Sequence, residues 1–147
     1  MGQANELTHI RINQFEQQDL TVCRTAIHAA LTDYMNQTGF AMRPYQLHGW
    51  FTRNSPGDYL QLHHHNDIDV AGTVYIQTAP DCGDFYFESP VTVAPHSMVF
   101  AHLHNRIYIT PEEGQIVLFP GWIQHGVLRN NSTVTRLGLS FNISFER

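Results

Sequence analysis

Gly114-Gln115-Ile116-Val117-Leu118-Phe119-Pro120-Gly121-Trp122-Ile123-Gln124-His125 reads as a strand, a turn and the opening of a second strand. The apolar run Ile116 to Phe119 is too short for a buried helix and is closed by Pro-Gly, so a β-strand is the simpler reading. The same texture extends outward in both directions. Segments rich in Val, Ile, Thr, Phe and Tyr predict strands at Leu47–Arg53, Tyr59–His63, Gly72–Thr78, Asp84–Glu88, Met98–Ala101 and Arg106–Ile109. Further strands are expected at Gln115–Phe119, Gly126–Arg129 and Thr133–Phe145. Turn chemistry separates them at Ser55-Pro56-Gly57-Asp58, Pro80-Asp81-Cys82-Gly83, Pro111-Glu112-Glu113-Gly114 and Asn130-Asn131. Many short strands at such spacing predict a mainly β sandwich or barrel, not alternating βα units.

Before Tyr45 the period changes. Phe15, Leu20, Cys23, Ala26, Ile27, Ala30, Leu31 and Tyr34 recur every three or four residues, which predicts one helix over Gln14–Thr38, packed on the outside of a sheet. Gly39 and Pro44 supply the stop. A length of 147 residues suits one domain spanning 1–147, with the helix at about 14–38 and the β-core from about 45 onward.

Composition narrows the function. Hydrophobic residues make up 42% of the chain and charged ones 14%, so a compact fold is expected. The net charge of −5, with only eight scattered Lys and Arg, argues against nucleic acid as a partner. Two cysteines, Cys23 and Cys82, do not make a disulfide framework, and no apolar run is long enough for a membrane span. A soluble cytoplasmic protein without a signal peptide is therefore expected. A homodimer through an edge strand is a further expectation.

Ten histidines are the unusual feature. His63, His64 and His65 are adjacent in Leu62-His63-His64-His65-Asn66-Asp67-Ile68-Asp69. In an extended segment alternate residues share a face, so His63, His65 and Asp67 can all point one way. His65 and Asp67 with one distant His, for which His125 is the candidate, would form the two-His-one-carboxylate set that suits non-haem Fe(II). His63 competes with Asp67 for the place. His96, His102 and His104 form a second cluster with ligand spacing, read here as a surface loop or interface. Cys23 lies on the apolar helix stripe and reads as packing. Trp122 stands beside His125 and is a candidate for the pocket wall.

Arg136 interrupts the apolar run Thr135-Arg136-Leu137-Gly138-Leu139-Ser140-Phe141-Asn142, where a charge should be paired or functional. A two-residue hairpin at Asn130-Asn131 would set position 125 directly opposite 136, with Cβ atoms about 5 Å apart. The planar guanidinium could then grip a carboxylate beside the metal.

Four ordered segments now look familiar: Gly57 to His65, Ala71-Gly72-Thr73-Val74-Tyr75-Ile76, Phe119 to His125, and Arg136 to Asn142. Together they resemble the small 2-oxoglutarate/Fe(II)-dependent oxygenases, many of them from phages and marine bacteria. The resemblance implies a double-stranded β-helix, the jelly roll shared with cupins. It implies His65, Asp67 and His125 as iron ligands, although the family often shows His-x-His at the first segment. It also implies Arg136 on the distal carboxylate of 2-oxoglutarate, with Tyr75 as a hydroxyl partner. The reaction implied is O2-dependent hydroxylation of an unidentified substrate, coupled to decarboxylation of 2-oxoglutarate to succinate. The family's Arg-x-Ser reads Arg136-Leu137-Gly138 here, and Ser140 is the substitute on the same face. The alternative is a cupin-type metalloprotein, enzyme or ligand-binding module. Gly57, His63-x-His65 and Asp69 approximate the first cupin motif, and Gly114, Pro120 and His125 the second.

Overall fold

The computed structural model describes residues 13–91, 96–103 and 106–147. Helices α1 (Gln14–Gln17) and α2 (Thr21–Thr38) are followed by eight strands. These are β1 (Tyr45–Asn54), β2 (Leu60–His63), β3 (Val70–Gln77), β4 (Phe85–Phe87), β5 (Ile107–Ile109), β6 (Ile116–Pro120), β7 (His125–Val127) and β8 (Arg136–Phe145). They form two four-stranded antiparallel sheets, ordered β1-β8-β3-β6 and β2-β7-β4-β5. This is the double-stranded β-helix, mainly β with few helices.

The period of two along β8 decides what each face of the first sheet does. Leu139, Phe141 and Ile143 are fully buried against Phe15, Ile27, Leu31 and Met35 of the helices. Arg136 and Ser140 point the other way, into the space between the sheets. On that inner side Ala71, Tyr75, Phe85, Val117, Phe119 and Val127 make a second core. One sheet thus carries an apolar outer face covered by helices and an inner face free to bear polar groups.

The predicted single helix is two helices. Gln18 is extended, and the Asp19 carboxylate accepts from the Thr21 hydroxyl at 2.6 Å and its N–H at 3.3 Å, a local alternative to the helical ladder. Gly39, with φ of 78°, then ends α2 with backbone bonds back to Asn36 and Met35, as the sequence suggested. α1 is seated on β1: Asn13 bonds Leu47 and Gly49, and a side chain at Gly49 would collide with the Phe15 ring.

Two further expectations are corrected. Met98–Ala101 is a turn running into a 3-10 helix at Ala101–Leu103, not a strand. Ser97 caps it, its hydroxyl accepting from Val99 and Phe100, and Met98 is fully exposed. Nor does Asn130-Asn131 form a two-residue hairpin, because β7 and β8 belong to different sheets. The buried Asn130 side chain donates to the carbonyls of Asn54 and Val134 and accepts from Ser132, so it organises a wider crossing between the sheets.

Candidate metal and oxo-acid site

His63 and His125 are cross-strand partners on β2 and β7. His65 follows β2, and its N–H donates to the Gly121 carbonyl at 2.9 Å. That contact needs the glycine: a Cβ at Gly121 would lie 2.2 Å from the Ile68 carbonyl oxygen. The turn before His125 is thereby held against the segment carrying His65. One ring nitrogen from each of His63, His65 and His125 lies within 4.8 Å of the others, the one such metal-capable group among the described residues.

The hydrogen bonds fix which nitrogens are available. Nδ1 of His63 meets the Gln61 carbonyl at 2.8 Å, and Nδ1 of His125 meets that of Ile123 at 2.9 Å. A carbonyl only accepts, so each Nδ1 carries the proton and each Nε2 keeps its lone pair. His65 Nδ1 is held at 2.7 Å by Asn142 Oδ1. This is the outer bonding that orients imidazoles for a metal. Burial drives the His125 pKa down to about 3; its bond to Ile123 opposes this, and His63, His65 and His64 add repulsion. His125 is therefore neutral and ligand-ready near pH 7. Phe119 and Phe85 wall its ring at centroid distances of 4.5 and 5.4 Å.

Asp67 does not join this group. It is exposed, and its φ of 61° breaks the extended alternation that would have kept it on the face of His65. His63 stands there instead. Asp69 is also turned away, accepting from the Phe145 N–H at 2.8 Å.

Arg136, Tyr75 and Ser140 line the same cavity of about 60 Å³ as the three histidines. Arg136 is 6% exposed, and its Nη1 donates to the Gly83 carbonyl at 2.7 Å. No carboxylate pairs with it among the described residues. It is not opposite His125 in a hairpin; the two line the cavity from different sheets, and Arg136 pairs with Asn54 on β1. Tyr75 lies below the guanidinium, 5.6 Å from ring centroid to Cζ. Burial raises its pKa to about 12, with Arg136 pulling the other way, so the hydroxyl remains a donor.

Two residues escaped the sequence reading. Asn142 orients His65, and Asn54 lines the cavity opposite Arg136. Asn54 emerges only from the β1–β8 register, and Asn142 only from the packing of His65 onto β8. Trp122 is exposed and lines a neighbouring surface cleft with His64 and Gln124. His96 and His102 are exposed, and His104 lies outside the described residues. No helix among the described residues is long and apolar enough to cross a membrane.

No curated protein matches the chain by sequence. Among solved structures it is similar to a 2OG-Fe(II) oxygenase family oxidoreductase from Burkholderia pseudomallei, with 14% identity and a TM-score of 0.61. That match covers 77% of this chain and 51% of the other, so this chain spans about half of that relative's length. A prolyl-4-hydroxylase from Pseudomonas putida aligns at 18% identity and TM-score 0.62, over 88% of this chain and 67% of the other. The alpha-ketoglutarate dependent epimerase SnoN, of nogalamycin biosynthesis, aligns at 16% identity and TM-score 0.65, over 90% and 59%. At these identities the likeness is one of fold. The family model described as "Putative 2OG-Fe(II) oxygenase" matches residues 48–142, a span containing all three histidines, Arg136 and Asn142. By that match the chain belongs to the 2OG-Fe(II) oxygenase family.

Proposed function

We propose that the chain is a 2-oxoglutarate- and Fe(II)-dependent oxygenase whose metal is held by His63, His65 and His125. One observation carries this reading. Three imidazoles with outward-bonded Nδ1 atoms converge in a cavity that also holds a buried arginine with no carboxylate partner among the described residues. The donor set fits a borderline divalent ion, for which imidazole is a natural ligand. When bound there, iron supplies the activation of O2 that the chemistry requires. The chain's own residues do the rest. Arg136 and Tyr75 hold the distal carboxylate of 2-oxoglutarate, Ser140 lines the path between them and the metal, and Phe85 and Phe119 keep water from His125. The free thiols of Cys23 and Cys82 support a reducing, cytoplasmic setting.

The all-histidine set, together with the spacing of Gly57, Gly114 and Pro120 around it, suits the cupin-type alternative as well. Arg136 speaks against it, because burying a guanidinium without a counter-charge is costly unless a ligand supplies one. Anaerobic titration of the Fe(II)-loaded protein with 2-oxoglutarate decides between them. A weak visible charge-transfer band, lost in Arg136→Ala, is expected. Metal binding without any band at saturating acid would favour the cupin reading.

A further inference from the structure

The inner face of the first sheet is a ladder of rows set by the register. Asn54 pairs with Arg136, Thr52 with Gly138, and Tyr75 meets Gly138 from the other side. Trp50 and Thr73 flank Ser140, and His48 and Ala71 flank Asn142. Asn142 touches His65, so the metal end of the cavity is at this last row and the Arg136 row is the opposite end. At that opposite end two buried donors have no hydrogen-bond partner among the described residues: Asn54 Nδ2 and the Tyr75 hydroxyl, on residues only 4% and 3% exposed. Leaving a buried donor without an acceptor forfeits its hydration with nothing in return, so two of them beside a buried cation point to an absent acceptor. The acceptor must be small, anionic and able to take bonds from several directions, which describes a carboxylate.

We propose that Asn54 is a specificity-determining residue, donating from its side-chain amide to the distal carboxylate of the bound 2-oxo acid. The inference rests on the oxygenase reading above. Gly138 explains why the donor sits on β1 and not on β8. A Cβ at 138 would lie 3.0 Å from Thr52 Oγ1, 3.2 Å from the Val74 carbonyl oxygen and 3.3 Å from Thr73 Oγ1. The two threonine hydroxyls already crowd the spot where a side chain on β8 would stand, and the neighbouring strand supplies the amide instead. Asn54 is held for the task by its own main chain, whose carbonyl accepts from the buried Asn130 side chain at 3.0 Å. Asn54 therefore selects dicarboxylic 2-oxo acids over monocarboxylic ones of equal length.

The test is calorimetric titration of Mn(II)-loaded protein with 2-oxoglutarate and with 2-oxopentanoate, which has the same chain length but lacks the distal carboxylate. Losing a hydrogen bond to a charged group should weaken 2-oxoglutarate about 10- to 100-fold in Asn54→Leu, with 2-oxopentanoate affinity essentially unchanged. Asn54→Asp, close in size but anionic, should weaken it further. Thermal unfolding of the ligand-free proteins supplies an independent readout. Removing an orphaned donor should leave the melting temperature of Asn54→Leu at or above that of the parent. Equal 2-oxoglutarate affinity in parent and variants, or equal weakening of both acids together with a lower melting temperature, would overturn the assignment. If the parent itself binds neither acid, the oxygenase reading fails and takes this inference with it. If Arg136→Ala abolishes 2-oxoglutarate binding and Asn54→Leu does not alter it, only the inference fails.

Discussion

His63→Ala should cost more in metal affinity than the roughly 10- to 100-fold typical of outer-shell changes, and Asp67→Ala should cost little. Competition with a chromogenic chelator would measure both, and the opposite order would restore Asp67 to the ligand set. Asn142→Ala should fall in that 10- to 100-fold range, because it frees the His65 ring without removing a donor. His125 makes stability depend on pH. Its folded pKa of about 3 lies below the ordinary 6.5, so between these values the unfolded chain binds the extra proton. The stabilisation is complete above about pH 6.5 and declines on acidification, by about 1.4 kcal/mol per pH unit. Urea unfolding of the metal-free protein at pH 5 and pH 7.5 would show it, and His125→Phe should flatten the slope. Part of this was legible in the sequence. A period of two marks His63 and His65, and a charge in an apolar strand marks Arg136. Asp67 reads from sequence as a same-face neighbour of His65, but its left-handed backbone ends the alternation, and nothing in Arg53-Asn54-Ser55 sets Asn54 apart.

Among the elements, α1 is short and owes its place to a few contacts on β1. Gly49→Ala should push the Phe15 ring from its seat and lower stability by about 1–3 kcal/mol, measured by urea unfolding. An unchanged midpoint would mean that α1 is not part of the cooperative unit. Strands with a strict alternation, such as β8, could be placed from sequence because one face must be buried. The partner of each strand could not. Asn130-Asn131 looks like a hairpin turn, yet the Asn130 amide bonds across to Asn54 and Val134, and a side chain making such distant bonds leaves no local signature.

For the molecule as a whole, we propose that the described residues unfold as a single unit. The β1–β8 ladder joins the first strand to the last over ten residue pairs, and the helices pack on that same sheet. Near- and far-UV circular dichroism should therefore report one coincident thermal transition. The same ladder sets where the first and last described segments meet the sheet. Asn13 is tied to Leu47 near the start of β1, and Glu146 donates to Pro44 just before it. Asn13 and Glu146 thus both lie against β1, at one edge of the helix-covered sheet. A free end is not needed at either point: a circular permutant that omits residues 1–12, joins Arg147 to Asn13 through a short flexible bridge and opens at the exposed Glu112-Glu113 turn would preserve every strand pairing of the two sheets.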